Sequence, residues 1–274
     1  MPDLREAGEL GLLRALEERG LIVGTEHDAA ELEGGLVVTQ DALVEGVHFL
    51  LDRISWRDLG FRAAAVNVSD LSASAARPEA LIVTLALPPH TQLADVVELY
   101  EGIAELGVPV RGGDTTSAPQ VLLSVTALGR SARVPGRAGA RPGDVVVVTG
   151  PLGAAGAAFR EGRYVRPPVR TEEGLRLGVV ATAMLDVSDG LPADAGHIAR
   201  RSGVRLVLDL DAVPRAGTLE DLGFGEDFEL LATVPSNRLL QGFPVIGRVE
   251  VGEGVVLLAG GEPVELTGYE HFRS

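Results

Sequence analysis

Val37-Val-Thr-Gln-Asp-Ala-Leu-Val-Glu-Gly-Val-His-Phe49 is the stretch on which the reading of this chain turns. Its opening is rich in β-branched residues and lacks helical spacing, which predicts a buried strand over Leu36 to Thr39. Asp41 then falls just beyond the strand end, and His48 follows seven residues later. An acidic side chain at the mouth of a strand can hold a metal at a sheet edge where a phosphate chain lies. Taken alone, Asp41 reads more simply as a turn or cap residue, because Asp is common there for local hydrogen bonding. The arrangement recurs, however: Asp28, Asp70, Asp114, Asp186 and Asp189 also sit at or beside turns and element ends, next to buried strands.

Composition narrows the chemistry. A chain of 274 residues can bury a substantial core and form two domains or one large one. Apolar residues make up 46% and charged residues 23%, the balance of a globular protein rather than a disordered one. No apolar run approaches the ~20 residues that span a bilayer, and the N-terminus lacks the pattern of a signal peptide, so a cytoplasmic enzyme without a membrane partner is expected. Cysteine is absent, which excludes disulfides, thiolate nucleophiles and Cys-based zinc sites. The net charge of −15 disfavours nucleic acid as a partner. All 24 basic residues are Arg. There is thus no P-loop lysine and no Schiff-base lysine, and any phosphate must be met by cations and Arg.

Along the chain, Asp3 with Glu6 reads as a capping box for a helix through Leu10, Leu13 and Leu16 to Gly20. Ser55 with Asp58 repeats the pattern and opens a long helix closed by Pro78. On it, Asn67-Val-Ser-Asp70 is a polar patch that faces either water or a bound ligand. Ala80 to Leu87 is a predicted strand, Leu93 to Leu106 a helix and Val108 to Arg111 a short strand. The last runs into Gly112-Gly-Asp-Thr-Thr-Ser117, where the glycines suggest a sharp turn that points Asp114 outward. Val121 to Leu128 alternates as a strand, and the Arg/Gly/Pro-rich run 129–139 marks a domain boundary. The expected division is 1–135 and 136–274. In the second half, Asp144 to Thr149 is a buried strand before a Gly-rich turn that reads as structural. A helix from Thr171 leads to Met184-Leu-Asp-Val-Ser-Asp-Gly190, with Asp186 and Asp189 at a strand-to-helix junction. Leu191 to Arg201 is a helix, Leu206 to Leu210 a strand, and Gly225 to Leu231 turns into another. Met184 and Trp56 are expected in the core, and His90, His197 and His271 at the surface or in packing roles.

Mutually repelling carboxylates gathered at one place need divalent cations, and oxygen ligands without Cys point to several Mg²⁺ ions rather than zinc. Such a nest without a catalytic lysine suits phosphoryl transfer by positioning and charge neutralisation.

Thr39-Gln-Asp-Ala-Leu-Val-Glu-Gly-Val-His-Phe49, Ala65-Val-Asn-Val-Ser-Asp70, Gly112-Gly-Asp-Thr-Thr116, Asp186-Val-Ser-Asp-Gly-Leu191 and Gly225-Glu-Asp-Phe-Glu-Leu230 resemble, in order, the motif series of the thiamine-monophosphate kinase family. The resemblance runs from about Ala29 to Phe272. It implies an aminoimidazole ribonucleotide synthetase-like fold in two domains: an α/β N-terminal domain whose sheet pairs across a homodimer into a barrel, and an α+β C-terminal domain. It implies Mg²⁺-dependent transfer of the ATP γ-phosphate to thiamine monophosphate, with Asp41, Asp114 and Asp186 at the centre of catalysis. Asp28, Asp41, Asp70, Asp114, Asp186 and Asp189 match the family's metal ligands, with Thr39 adding an oxygen. Arg137 and Ser188 match ATP contacts, which Gly112 and Gly113 are expected to join. His48, Glu226 and Tyr269 match positions that hold thiamine monophosphate.

Three departures stand out. The family's usual Gly-Asp-Asp reads Glu26-His27-Asp28, Gln40 replaces a Thr, and the segment between Pro214 and Glu226 is short, ending in Phe224-Gly225. An altered outer metal site and a reshaped substrate pocket are expected. Two rival classes remain: another ATP-dependent synthetase of the superfamily, and a non-catalytic nucleotide-binding homologue. A selenophosphate synthetase would need a reactive Cys or selenocysteine and a nearby Lys, both missing here.

Overall fold

The strand that contains Asp41 is longer than its composition suggests. In the computed structural model, which describes residues 3–23 and 27–269, β2 spans Leu36–Val44. All nine of its residues pair antiparallel with β5 (Leu122–Arg130), from Leu36 opposite Arg130 to Val44 opposite Leu122. Asp41 lies opposite Val125, within the strand rather than beyond it. The continuous partner strand carries β2 past Thr39, where propensity alone stops it.

The first sheet is completed by β1 (Ala30–Leu32), β3 (Arg77–Leu87) and β4 (Val110–Ser117), in the order β1-β2-β5-β3-β4. Only β3 and β4 run parallel. The Gly112-Gly113-Asp114 segment forms no turn: it is the extended middle of β4. Gly113 is required there by close approach, since a Cβ would lie 1.8 Å from the Val83 carbonyl oxygen of β3. β4 is an edge strand exposed along its whole length.

Ser55 caps helix α2 (Trp56–Ala73) by accepting the Asp58 N–H at 3.0 Å, as the capping pattern predicts. The helix ends before Pro78, because Ala75 takes a left-handed conformation (φ 50°) and turns the chain into β3. α3 (Leu93–Ala104) packs against α2 at very short range. A Cβ at Gly60 or at Gly102 would lie 1.9 Å from the carbonyl oxygen of Leu99 or Arg57. Glycine at both positions lets the two backbones touch. α1 (Leu4–Glu17) begins as predicted, with the Glu6 N–H on Asp3, and is kinked at Gly8 (φ 65°).

The second half forms a seven-stranded sheet from β6 (Asp144–Val148), β7 (Ala183–Asp186), β8 (Arg205–Asp209), β9 (Leu230–Pro235), β10 (Val245–Glu250), β11 (Gly254–Ala259) and β12 (Glu262–Val264). Its order is β12-β11-β8-β10-β6-β9-β7, antiparallel except for β8 with β11. The helices of this half are α4 (Ala154–Arg160), α5 (Thr171–Gly178) and α6 (Leu191–Ser202). Each half has its own core, around Leu59, Leu85 and Leu123 in the first and Leu185, Leu191 and Leu208 in the second. Every fully buried Leu of this kind contributes roughly 1.5–3 kcal/mol. Met184, fully buried, joins Ala73, Leu177 and Leu230 in a third cluster, while Trp56 is only half-buried against the first.

Helix α2 holds the halves together. It packs on β2 and β5 of the first sheet, and on α5, β7 and β9 of the second half. It is therefore buried on nearly every face, including Arg62, Asn67, Ser69 and Ser72. Among the described residues no helix is long and apolar enough to cross a membrane.

Candidate active site

The polar patch on α2 does not face water. The Asn67 carboxamide oxygen accepts the Asp41 N–H at 3.0 Å, and its nitrogen donates to the Ala63 carbonyl at 2.9 Å. The Asp70 carboxylate accepts the Thr39 hydroxyl at 2.5 Å, and the Ser69 hydroxyl donates to Asp186 at 2.5 Å. Three neighbouring side chains of one helix thus fasten β2 on one side and β7 on the other. A cleft of about 700 Å³ opens at this junction.

Asp28, Thr39, Asp41, Asp70, Arg137, Asp186, Ser188 and Asp189 all line this cleft, as do His48, Glu226 and Tyr269. Residues from both halves of the sequence meet there. Asp114, Gly112 and Gly113 do not. Because their segment is an exposed edge strand and not a turn, the single chain leaves them outside the cleft.

The electrostatics are those of acidic groups crowded together away from water. Burial, then Asp28 and Asp189, push the Asp41 carboxyl above the usual carboxylate range. Burial with Asp41 and Asp186 holds Asp70 well above it. Asp186 is raised to about 8, first by burial and then by Asp28. Asp28 is raised by burial as well, against the pull of Arg137, whose Nε bonds its Oδ1 at 2.7 Å. Four carboxyls that act on one another in this way cannot all ionise without positive charge among them.

On the far side of the cleft, Glu226, Phe228 and Tyr269 are held by backbone geometry. Glu226 and Phe228 both adopt left-handed conformations (φ 57° and 50°), which are strained for residues with side chains. The Glu226 N–H bonds the Ser188 carbonyl at 2.8 Å, and the Phe228 N–H bonds Val187 at 2.9 Å. The loop is thereby moulded onto the strand-to-helix junction. The Tyr269 N–H bonds the Asp189 carbonyl at 2.9 Å and ties the tail to the same junction. His48 Nδ1 accepts the Val44 N–H at 3.0 Å, which leaves the ring proton on Nε2. Gln40, at a departure from the family pattern, lines the cleft with its amide bound to the Ser124 hydroxyl at 2.8 Å. His27 lies beside Asp28 and lowers that residue's proton affinity, while Glu26 and His271 fall outside the described residues.

Three participants escaped the sequence reading. Arg62, buried on α2, forms an ion pair with Glu226 and lines the cleft. Only its lone charge on an apolar face could have signalled it. Asp194 of α6, buried, accepts the Asp189 N–H at 3.0 Å and fixes that loop. Its place in the first helical turn is the available clue. Asp227 accepts the Gly153 N–H at 2.7 Å and so anchors the start of α4. His197 is half-buried on α6, and burial with nearby Arg137 lowers it to about 4, so it is neutral in the packing role expected.

Comparison with known proteins gives this geometry a family. Residues 26–131 match the model of the AIR synthase related protein, N-terminal domain. The thiamine-monophosphate kinase of Aquifex aeolicus is 33% identical, covering 98% of this chain and 99% of the relative. That of Mycobacterium tuberculosis is 34% identical, covering 99% and 93%. The solved AaThiL complexed with AMPPCP and TMP superposes with a TM-score of 0.91 at 32% identity, over 99% of both chains. Hydrogenase maturation protein HypE in complex with ATP, at 21% identity and a TM-score of 0.72, shares the fold. With relatives aligned over nearly its full length, the chain belongs to the thiamine-monophosphate kinase family.

Proposed function

We propose that the chain transfers the γ-phosphoryl group of ATP to thiamine monophosphate, giving thiamine diphosphate and ADP. The observation that carries this reading is the convergence of five buried or half-buried aspartates, Thr39 and Arg137 on one cleft that also holds His48, Glu226 and Tyr269. The nearly coextensive AaThiL, complexed with AMPPCP and TMP, supports it.

The donor set fits Mg²⁺, because Asp28, Thr39, Asp41, Asp70, Asp186 and Asp189 offer oxygen alone and the carboxyls of Asp28, Asp41, Asp70 and Asp186 are all pushed toward their protonated form. When bound, Mg²⁺ neutralises phosphate charge and lines up the two polyanions. Arg137 supplies fixed positive charge for the nucleotide, and Ser188 a hydroxyl beside it. His48 presents a neutral imidazole with a proton to donate to a phosphate. Glu226 accepts from an aminopyrimidine, and Tyr269 packs against a flat cationic ring. The acceptor phosphate is already ionised at neutral pH, so attack on the γ-phosphorus needs no general base. The absence of Cys and Lys fits direct in-line transfer without a covalent phospho-enzyme.

The working unit in this reading is a homodimer of two-domain chains, divided at about residues 135 and 136. Its two N-terminal sheets join through the exposed β4 edge into a barrel. The roles of Asp114, Gly112 and Gly113 rest on that pairing. Light scattering should give a dimeric mass, and a monomer of full activity would sink the arrangement. In this reading the enzyme is cytoplasmic, and the net charge of −15 disfavours nucleic acid as a partner.

ADP release measured with thiamine monophosphate, with thiamine and with neither tests the activity directly. Release with the monophosphate alone is expected. Nucleotide binding without turnover on any acceptor would replace this reading with a regulatory one.

A further inference from the structure

Beside the acidic cleft lies a second cavity of about 300 Å³, and the two share Val47, His48, Arg62, Phe159, Phe224 and Glu226 as walls. Its lining is largely apolar and aromatic, the character of a pocket for a flat organic group. Phe159, 56% exposed, packs on Phe224 with ring centroids 5.0 Å apart and planes tilted by 34°. Its polar lining consists of His48, Arg53, which lies over the Phe159 ring, Arg163, paired with Glu161, and the three groups Arg62, Glu226 and Tyr164. Arg62 and Glu226 neutralise each other as an ion pair. Tyr164 also lines this cavity, and its hydroxyl is buried without a hydrogen-bond partner, one of two such side-chain atoms among the described residues.

A buried hydroxyl without a partner is costly, and native structures rarely keep one without a use. Arg62 and Glu226, with Asp58 and Arg166, are the charged groups that act on it. Burial raises the phenol far above neutrality, so it is a donor throughout the working pH range. Tyr164 belongs to none of the motifs that define the site in sequence.

We propose that Tyr164 is a specificity-determining residue for the acceptor, its hydroxyl donating to a ring nitrogen of the heteroaromatic group that fills this chamber. The inference rests on thiamine monophosphate being the acceptor. An aminopyrimidine offers an N–H donor and ring-nitrogen acceptors along one edge. Glu226 and Tyr164 would supply the complement, a carboxylate that accepts and a phenol that donates. A site built to hydrogen-bond a polar edge rejects analogues lacking it, because its own buried group is then left unpaired.

Tyr164→Phe keeps the ring and removes only the oxygen. In the full-length protein the Kd for thiamine monophosphate by calorimetry, and its KM, should rise about tenfold. The KM for ATP and kcat should stay within about twofold. A deaza analogue, with one pyrimidine nitrogen replaced by C–H, should bind the wild type about tenfold more weakly and Tyr164→Phe no more weakly than the parent compound does. Unchanged acceptor affinity in Tyr164→Phe, or the same analogue penalty in both proteins, would overturn the proposal and leave the hydroxyl to a buried water. Those outcomes leave the kinase reading intact. A wild type that neither binds thiamine monophosphate nor releases ADP with it overturns both.

Discussion

Asp186→Asn should leave the chain folded, lessen the pH dependence of its melting temperature without divalent cations, and lower turnover about 10³-fold. The three effects share one cause. Asp186 is 4% exposed, accepts the Ser69 hydroxyl, and is surrounded by Asp28 and Asp41. Its carboxyl moves from the ordinary 3.8 to about 8 in the folded chain. A carboxyl raised on folding binds its proton more tightly in the native state, so its stabilising contribution is complete below 3.8 and is lost as pH climbs through about 8. The metal-free wild type should therefore melt lower near pH 8.5 than near pH 6. Asparagine still accepts from Ser69 but never ionises, so the variant should lose less of its melting temperature over that window, the remaining slope coming from Asp70 and the other raised carboxyls. Millimolar Mg²⁺ reverses the comparison. It should raise the wild type by about 5 °C or more at the higher pH, where the carboxylates are free of protons, and the variant far less. In the proposed metal site, loss of one oxygen ligand is expected to cost about three orders of magnitude in kcat. Melting curves over pH with and without Mg²⁺, beside turnover, test this. A variant with wild-type kcat, or a wild type whose melting temperature Mg²⁺ leaves unmoved, would remove Asp186 from the metal site.

Why the convergence of the other aspartates was legible and the strand that carries Asp114 was not follows from where the information lies. Short polar motifs beside apolar runs report that a strand or helix ends near a site, and Asp41, Asp70, Asp186 and Asp189 do converge. Local patterns say nothing about partners. Gly112-Gly113 reads as a turn because glycine is permissive, yet Gly113 is demanded by the Val83 carbonyl of a strand far away in sequence. β2 outran its predicted end for the same reason, since β5 fixes its length. The two-sided packing of α2 was equally hidden. Asn67 and Ser69 left open whether they met water or a ligand, and what they meet is β2 and β7. Arg62 was invisible because its partner Glu226 lies in the other half of the chain.

The chamber wall around Tyr164 depends on an ion pair that the same limits concealed, and breaking it should be the largest single loss of stability. The Glu229 carboxylate is 3% exposed and receives Arg170 through Nε at 2.7 Å and Nη2 at 2.6 Å, with the Thr149 hydroxyl as a third donor. Arg170 is 25% exposed and closes the segment that carries Tyr164 and Pro167. Within that segment Arg166 bonds Asp58 at 2.6 Å and Glu105 at 2.5 Å, pairs open enough to water to contribute little. The buried fork is the anchor. Arg170→Ala leaves Glu229 charged and unpaired inside the protein, which costs roughly 3–5 kcal/mol and should lower the melting temperature by about 10 °C or more. Freed at one end, the wall should also raise the KM for thiamine monophosphate more than that for ATP. Removing both partners, as in Arg170→Met with Glu229→Leu, should restore most of the stability, because an apolar pair of similar volume leaves no stranded charge. Recovery of acceptor affinity in that double variant would show that fixing the segment in place, and not the charge itself, is what the pair does for the site. A single variant that melts with the wild type would mean that Glu229 finds another cation or takes up a proton at no cost, and the wall is held from elsewhere.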